Sequence, residues 1–63
     1  MGKLDMQEVW YGCYEVEGGL EIRKAFVNKI AAILYLMRNR KRDDFIRGWL
    51  EHGFEDKRGG FYD

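Results

Sequence analysis

The chain has 63 residues, enough for one small domain. It is rich in apolar (46%) and aromatic (16%) side chains, which favours a folded state over disorder. One cysteine, Cys13, and one histidine, His52, exclude an internal disulfide and the usual four-ligand zinc staple. A domain this small buries limited core, so dense packing or a second chain has to supply the rest.

The formal charge is zero, but its signs are sorted along the chain. Residues 1–22 carry a net −4, residues 23–42 a net +7 with no acid at all, and residues 43–63 a net −3. Well-mixed surfaces do not separate charge in this way. Either the blocks neutralise each other within the fold or across a dimer, or the basic block meets an acidic partner.

The N-terminal residues are acidic and polar, unlike a secretory signal. The longest apolar run, Ile30 to Met37, falls far short of the ~20 residues a spanning helix needs. These features point to a cytoplasmic protein without a membrane partner. Residues 8–16 have the β-branched and aromatic composition of a strand. Gly18-Gly19 supplies a hairpin turn, and residues 20–27 fold back as a second strand. A two-residue turn pairs Glu17 with Leu20, which sets Tyr14 against Arg23, Gly12 against Ala25, Tyr11 against Phe26 and Trp10 against Val27. A rival pattern runs through the same segment: Ile22, Phe26, Ile30, Ile33 and Met37 lie on one face of a continuous helix.

Both readings place a helix at about 29–41, capped by Asn28 in the hairpin version. Its segment Ile30 to Met37 is apolar nearly all round, as in a helix buried on more than one side. One hairpin covers one side, which points to a homodimer or a partner that covers the other. Arg38, Arg40, Lys41 and Arg42 then sit at the end favoured by the helix dipole. Asp43 or Asp44 caps a second short helix at about 43–52, with Phe45, Ile46, Trp49 and Leu50 on one face. Residues 54–63 read as a charged tail with a Gly59-Gly60 turn and an aromatic end. The expected fold is α+β: an N-terminal hairpin packed on a central helix and a second short helix, in a single domain spanning 1–63.

Catalytic chemistry finds little support. The chain has no serine and no threonine, and a Cys13–His52 meeting is the one nucleophile–base pair it allows. The acidic pairs Asp43-Asp44 and Glu55-Asp56 read as caps and solvated residues. Gly18-Gly19 lacks the flanking residues of a phosphate loop. No cofactor and no metal are expected, and the chain does not read as an enzyme.

Two binding chemistries remain. The run Arg38-Asn39-Arg40-Lys41-Arg42 could neutralise phosphates, which makes a nucleic-acid binder the alternative, although Asp43-Asp44 follow at once. The aromatics are too many for one small core, and Trp and Tyr are enriched at binding hot spots. Trp10, Tyr14, Tyr35, Arg38, Arg40, Lys41, Arg42, Trp49, Phe61 and Tyr62 are the candidate partner-binding residues. In general character the chain looks like the compact, aromatic-rich accessory proteins that phages and mobile elements direct at host machinery. That likeness covers no specific residues. It implies a stoichiometric inhibitor or regulator of a larger host protein.

Overall fold

The computed structural model describes residues 6–56. Four elements follow in order: β1 (Met6–Val16), β2 (Leu20–Phe26), α1 (Lys29–Asn39) and β3 (Phe45–Asp56). The strands form one antiparallel sheet in the order β2-β1-β3, so the fold is α+β. No helix among the described residues is long and apolar enough to cross a membrane.

The hairpin forms as its composition dictates, but one residue out of the expected register. Val16, not Glu17, pairs with Leu20, and the loop holds Glu17, Gly18 and Gly19. The Val16 carbonyl accepts from Gly19 N at 3.1 Å. This closes a turn with Gly18 (φ 97°) in its third position and Gly19 (φ 85°) just after it, conformations open to glycine at no steric cost. The pairs are therefore Tyr14 with Ile22, Gly12 with Lys24, Tyr11 with Ala25 and Trp10 with Phe26. Because strand side chains alternate, a slip of one residue moves every β2 side chain to the other face. Phe26 thereby joins the face of Trp10, Gly12 and Tyr14.

That face carries α1. Asn28 caps it in extended conformation, its Oδ1 accepting from Ile30 N at 2.8 Å and Ala31 N at 3.4 Å. Gly12 lies directly beneath the helix. A Cβ there would come within 2.8 Å of the Tyr35 ring and 3.2 Å of the Ala32 carbonyl, so hydrogen in place of a side chain sets how closely α1 can approach. Tyr14, Val16, Phe26 and Ala32 are buried in this layer. The ring of Tyr35 lies 5.2 Å from Phe26 and 5.9 Å from Tyr14.

The expected second helix at 43–52 is a strand. β3 runs antiparallel to β1 from Phe45–Val16 to Asp56–Met6, with an irregularity between Glu15 and Val16. Gly48, inside that span, costs a helix up to ~1 kcal/mol, and the aromatic residues around it suit a pleated surface. The free edge of β1 supplies what a helix assignment ignores, a row of backbone donors and acceptors waiting for a partner. Asp44 caps no helix. It holds Arg42 at the turn into β3. Residues 54–56, assigned to a tail by sequence, belong to β3. The rest of that segment lies outside the described residues.

Beyond Trp10 the pairing involves β1 and β3 only. Met6 to Val9 and Gly53 to Asp56 thus form a two-stranded ribbon that runs past β2.

Candidate interaction surface

The helix that the sequence reads as buried on more than one side is covered on one only. Ala32 is its single fully buried residue. Ile30, Leu34 and Met37 stand 64%, 53% and 55% exposed, and their spacing places them on one helical face. Lys41 follows four positions after Met37, and no acidic residue occurs anywhere between positions 23 and 42. The apolar stripe therefore ends on a cationic tip.

Two grooves flank the helix. One, of about 390 Å³, opens between α1 and β3. Ile33, Leu36, Met37, Phe45, Gly48 and Leu50 line it, with Arg40 at its side. The other, about 280 Å³, lies towards β2 and takes Phe26, Ala31, Leu34 and Tyr35 with the cations Lys24 and Arg38.

The basic block divides. Arg42 is held in place, donating to Asp44 at 2.9 and 3.2 Å and to the Tyr14 hydroxyl at 3.2 Å. Its guanidinium keeps the Asp44 carboxyl below the ordinary carboxylate range, and the Asp44 hydrogen bond raises Arg42 in turn. Arg23 bonds Glu51 at 3.2 Å. Arg38, Arg40 and Lys41 are exposed and make no ion pair with another described residue. Neutralisation between blocks thus removes part of the basic patch and leaves the helix tip.

The other candidates fall in three places. Tyr14 is buried, its ring stacked 6.1 Å from Phe45, and Tyr35 is half-buried above Gly12. Both belong to the packing of α1 on the sheet. Burial, and then the neighbouring Tyr14 hydroxyl, push the Tyr35 hydroxyl up to about 12. Trp10 is half-buried at the base of the ribbon, 5.2 Å from the His52 ring. His52 lies 2.7 Å from Glu8 and 5.5 Å from the Phe54 ring. Trp49 lies on the sheet face away from α1, with Arg47 4.8 Å over its ring and its indole N–H donating to Glu51 at 2.9 Å. Phe61 and Tyr62 lie outside the described residues.

The register separates the one nucleophile–base pair the sequence allowed. Cys13 pairs with Trp49, and His52 with Trp10, so alternation puts their side chains on opposite faces of the sheet. Cys13 is buried; its burial pushes the thiol above its ordinary value, away from the reactive thiolate. No group of three or more His, Cys, Asp or Glu side chains among the described residues is arranged to hold a metal ion.

The sequence singles out the basic run and the aromatics and calls for a cover on a second side of Ile30 to Met37, but it does not name the exposed Ile30, Leu34 and Leu50 as contact residues. The all-round apolar character of Ile30 to Met37 was the available signal; which side is covered depends on where the sheet lies. No family model matches the chain, and no curated protein or solved structure is significantly similar to it.

Proposed function

We propose that this protein is a non-enzymatic protein-binding module, a stoichiometric inhibitor or regulator of a larger protein, of the kind carried by phages and mobile elements. The observation that carries the reading is the uncovered stripe Ile30–Leu34–Met37 on α1. Three large aliphatic side chains more than half exposed on one helical face forfeit somewhat over half of the about 1.5–3 kcal/mol that full burial of each would give, and such patches on small proteins mark contacts. The cations at its end, Arg38, Arg40 and Lys41, select the partner chemistry: an apolar surface with carboxylates at one margin. Binding of this kind acts by occupying a surface.

The exposed helix tip also supports a second reading, binding to nucleic-acid phosphates. One capture experiment separates the two. The full chain, Leu34→Asp and the double variant Arg40→Ala/Lys41→Ala are used as baits in host lysate, and protein and nucleic acid are analysed together. The captured partner is then purified and titrated against each bait. A protein bound one-to-one by the wild type and lost with Leu34→Asp supports the module. Nucleic acid bound with a steep salt dependence, lost in the double variant and kept by Leu34→Asp, overturns it.

A further inference from the structure

The two outer strands of the sheet are unlike. β2 has seven residues, three of them charged (Glu21, Arg23 and Lys24). β3 has twelve residues, and its outer edge pairs with no other described strand. Short, charged edges resist edge-to-edge pairing, whereas long edges bearing apolar side chains invite it. Ile46, Leu50 and Phe54, spaced four apart along β3, are 51%, 37% and 59% exposed.

We propose that a second copy of this chain adds antiparallel to β3 about a two-fold axis through Leu50. Two three-stranded sheets then become one continuous six-stranded sheet. Geometry restricts the choice of register. A two-fold axis that keeps the sheet continuous is perpendicular to it and leaves both helices on one face. Directly opposed residues share a face, so the axis passes through a residue and not between two. An axis at Glu51 opposes like charges, which is destabilising. An axis at Trp49 sets Phe54 opposite Asp44, whose carboxylate is already committed to Arg42. With the axis at Leu50, leucine meets leucine, and Phe54 reaches the start of the other strand, where Ile46 bulges out of the β1–β3 register.

Charge points to the same occupant. In this register the acidic end of β3 meets the start of β3 in the other copy: Glu55 lies beside Phe45, and Asp56 falls opposite Asp44, whose charge Arg42 offsets. That is the end of β3 reached from the basic tip of α1, where Arg40 and Lys41 make no ion pair with a described residue. The sorted charge of the sequence thus acquires a use: a basic middle segment in one copy faces an acidic C-terminal segment in the other. The α1–β3 grooves of the two copies also adjoin. The two β1 strands stand three strand spacings apart, about 14 Å. Packed helices approach to about 8–10 Å. Leu36 and Met37, which line the groove with Leu50, extend into that gap from both sides.

The docking stripe on α1 and the β3 edge share Met37 and the basic tip, but Leu34 belongs to the stripe alone and Leu50 to the edge alone, so Leu34→Asp and Leu50→Lys let either assignment fail by itself. Sedimentation equilibrium on the full chain tests the edge. The expected result is a dimer with Kd of about 10 µM or tighter, weakened at least about tenfold by Leu50→Lys, which places two ammonium groups on the axis. A cross-linking pair decides the case if that variant fails to fold. In a Cys13→Ala background, Leu50→Cys should form an intermolecular disulfide on mild oxidation, because opposed Cα atoms about 4.5–5.5 Å apart suit the bond. Arg23→Cys, at the centre of β2, should not. A wild-type chain that stays monomeric, a dimer that survives Leu50→Lys with its circular dichroism unchanged, or cross-linking at Arg23→Cys in place of Leu50→Cys overturns the proposal.

Discussion

The two faces of the sheet are closed by different means. Both draw on the central strand β1, whose alternating residues serve one face each. Gly12, Tyr14 and Val16 face α1, and with Phe26 and Phe45 they pack by shape, ring against ring and helix against glycine. On the other face Val9, Tyr11 and Cys13 form a second buried cluster, supported by Ala25, Val27 and Trp49. No helix or strand among the described residues covers it. Long charged side chains lie across it instead. Arg23 sits 4.2 Å over the Tyr11 ring and bonds Glu51, Arg47 sits over Trp49 and bonds Glu15 at 2.8 Å, and the Tyr11 hydroxyl donates to Glu55. Arginine stems and aromatic rings can shield apolar surface while their polar ends stay in water. With one helix among the described residues, the second face is covered by ion pairs laid over rings. The two faces should therefore respond to different perturbations.

The largest response is expected on the helix side. Phe26→Ala removes a buried ring from beneath Tyr35 and should cost about 3–5 kcal/mol. That is comparable with the whole stability of a domain of this size, about 5 kcal/mol, so urea denaturation followed by far-UV circular dichroism should find the variant largely unfolded in buffer. Trp49→Ala on the open face removes a larger ring that is only half-buried and should cost less. Equal losses would show that the open face is packed as tightly as the covered one.

A smaller and more local effect is expected at Gly12. Gly12→Val drives a side chain into the Tyr35 ring and the Ala32 carbonyl, and the backbone oxygen cannot swing aside. Overpacking of this kind costs about 1–3 kcal/mol. The urea midpoint should fall, while in a Trp10→Phe background the Trp49 fluorescence of the folded state, set on the opposite face, should change little. A stability equal to wild type would mean that α1 does not sit on β1 as closely as described.

Much of this covered face was legible in the sequence. The strand composition of 8–16, the Gly18-Gly19 turn and the Asn28 cap are local signals, each written in a few adjacent residues, although the helical spacing of Ile22, Phe26 and Ile30 leaves the start of α1 open between residues 20 and 29. What escaped was non-local. The hairpin register depends on whether Glu17 belongs to the strand or the loop, a difference of one residue that composition does not encode. Phe45, Ile46, Trp49 and Leu50 fit helical spacing, and only the free edge of β1 tips that segment to a strand. The open-face lattice was invisible for the same reason. Arg47 and Glu15 are 32 positions apart, and nothing in sequence brings them together before β3 pairs with β1. Of the interaction surface, the basic tip was legible, whereas the stripe on α1 appeared only once the position of the sheet showed which side of the helix was left bare.

Alkaline pH should probe both faces through their tyrosines. The Tyr35 hydroxyl is pushed up to about 12 by burial and by Tyr14, and Tyr11 is raised by its hydrogen bond to Glu55 and by burial. An ordinary tyrosine in the unfolded chain titrates near about 10. Below that value both states hold their protons and the contribution to stability is complete. As pH rises from about 10 through the folded values, the unfolded chain loses its protons first, and stability falls. The urea midpoint should decline across this window. In Tyr35→Phe the decline should be shallower but still present, because Tyr11 remains. A midpoint flat up to pH 12 would break the assignment of both hydroxyls.

The smallest effect is the most direct test of how the open face is held. Arg47 and Glu15 are both on the surface side of the sheet, and Arg47 is well exposed. An exposed pair gains modest Coulomb energy and loses side-chain entropy, so its coupling is about 0.2–1 kcal/mol. A double-mutant cycle of Arg47→Ala and Glu15→Ala, read by urea denaturation, should return a value in that range. Raising the ionic strength to about 1 M shortens the Debye length to about 3 Å and should reduce the coupling. The single variant Arg47→Ala should nonetheless cost more than the coupling alone, because its stem and guanidinium also cover Trp49. Replacing Arg47 by Met, which keeps the stem and drops the charge, divides those contributions. If Arg47→Met loses only the coupling energy, apolar coverage of the indole closes this face. If Arg47→Met loses as much as Arg47→Ala, the guanidinium over the ring is what holds it, and the face is closed by charge and π contact.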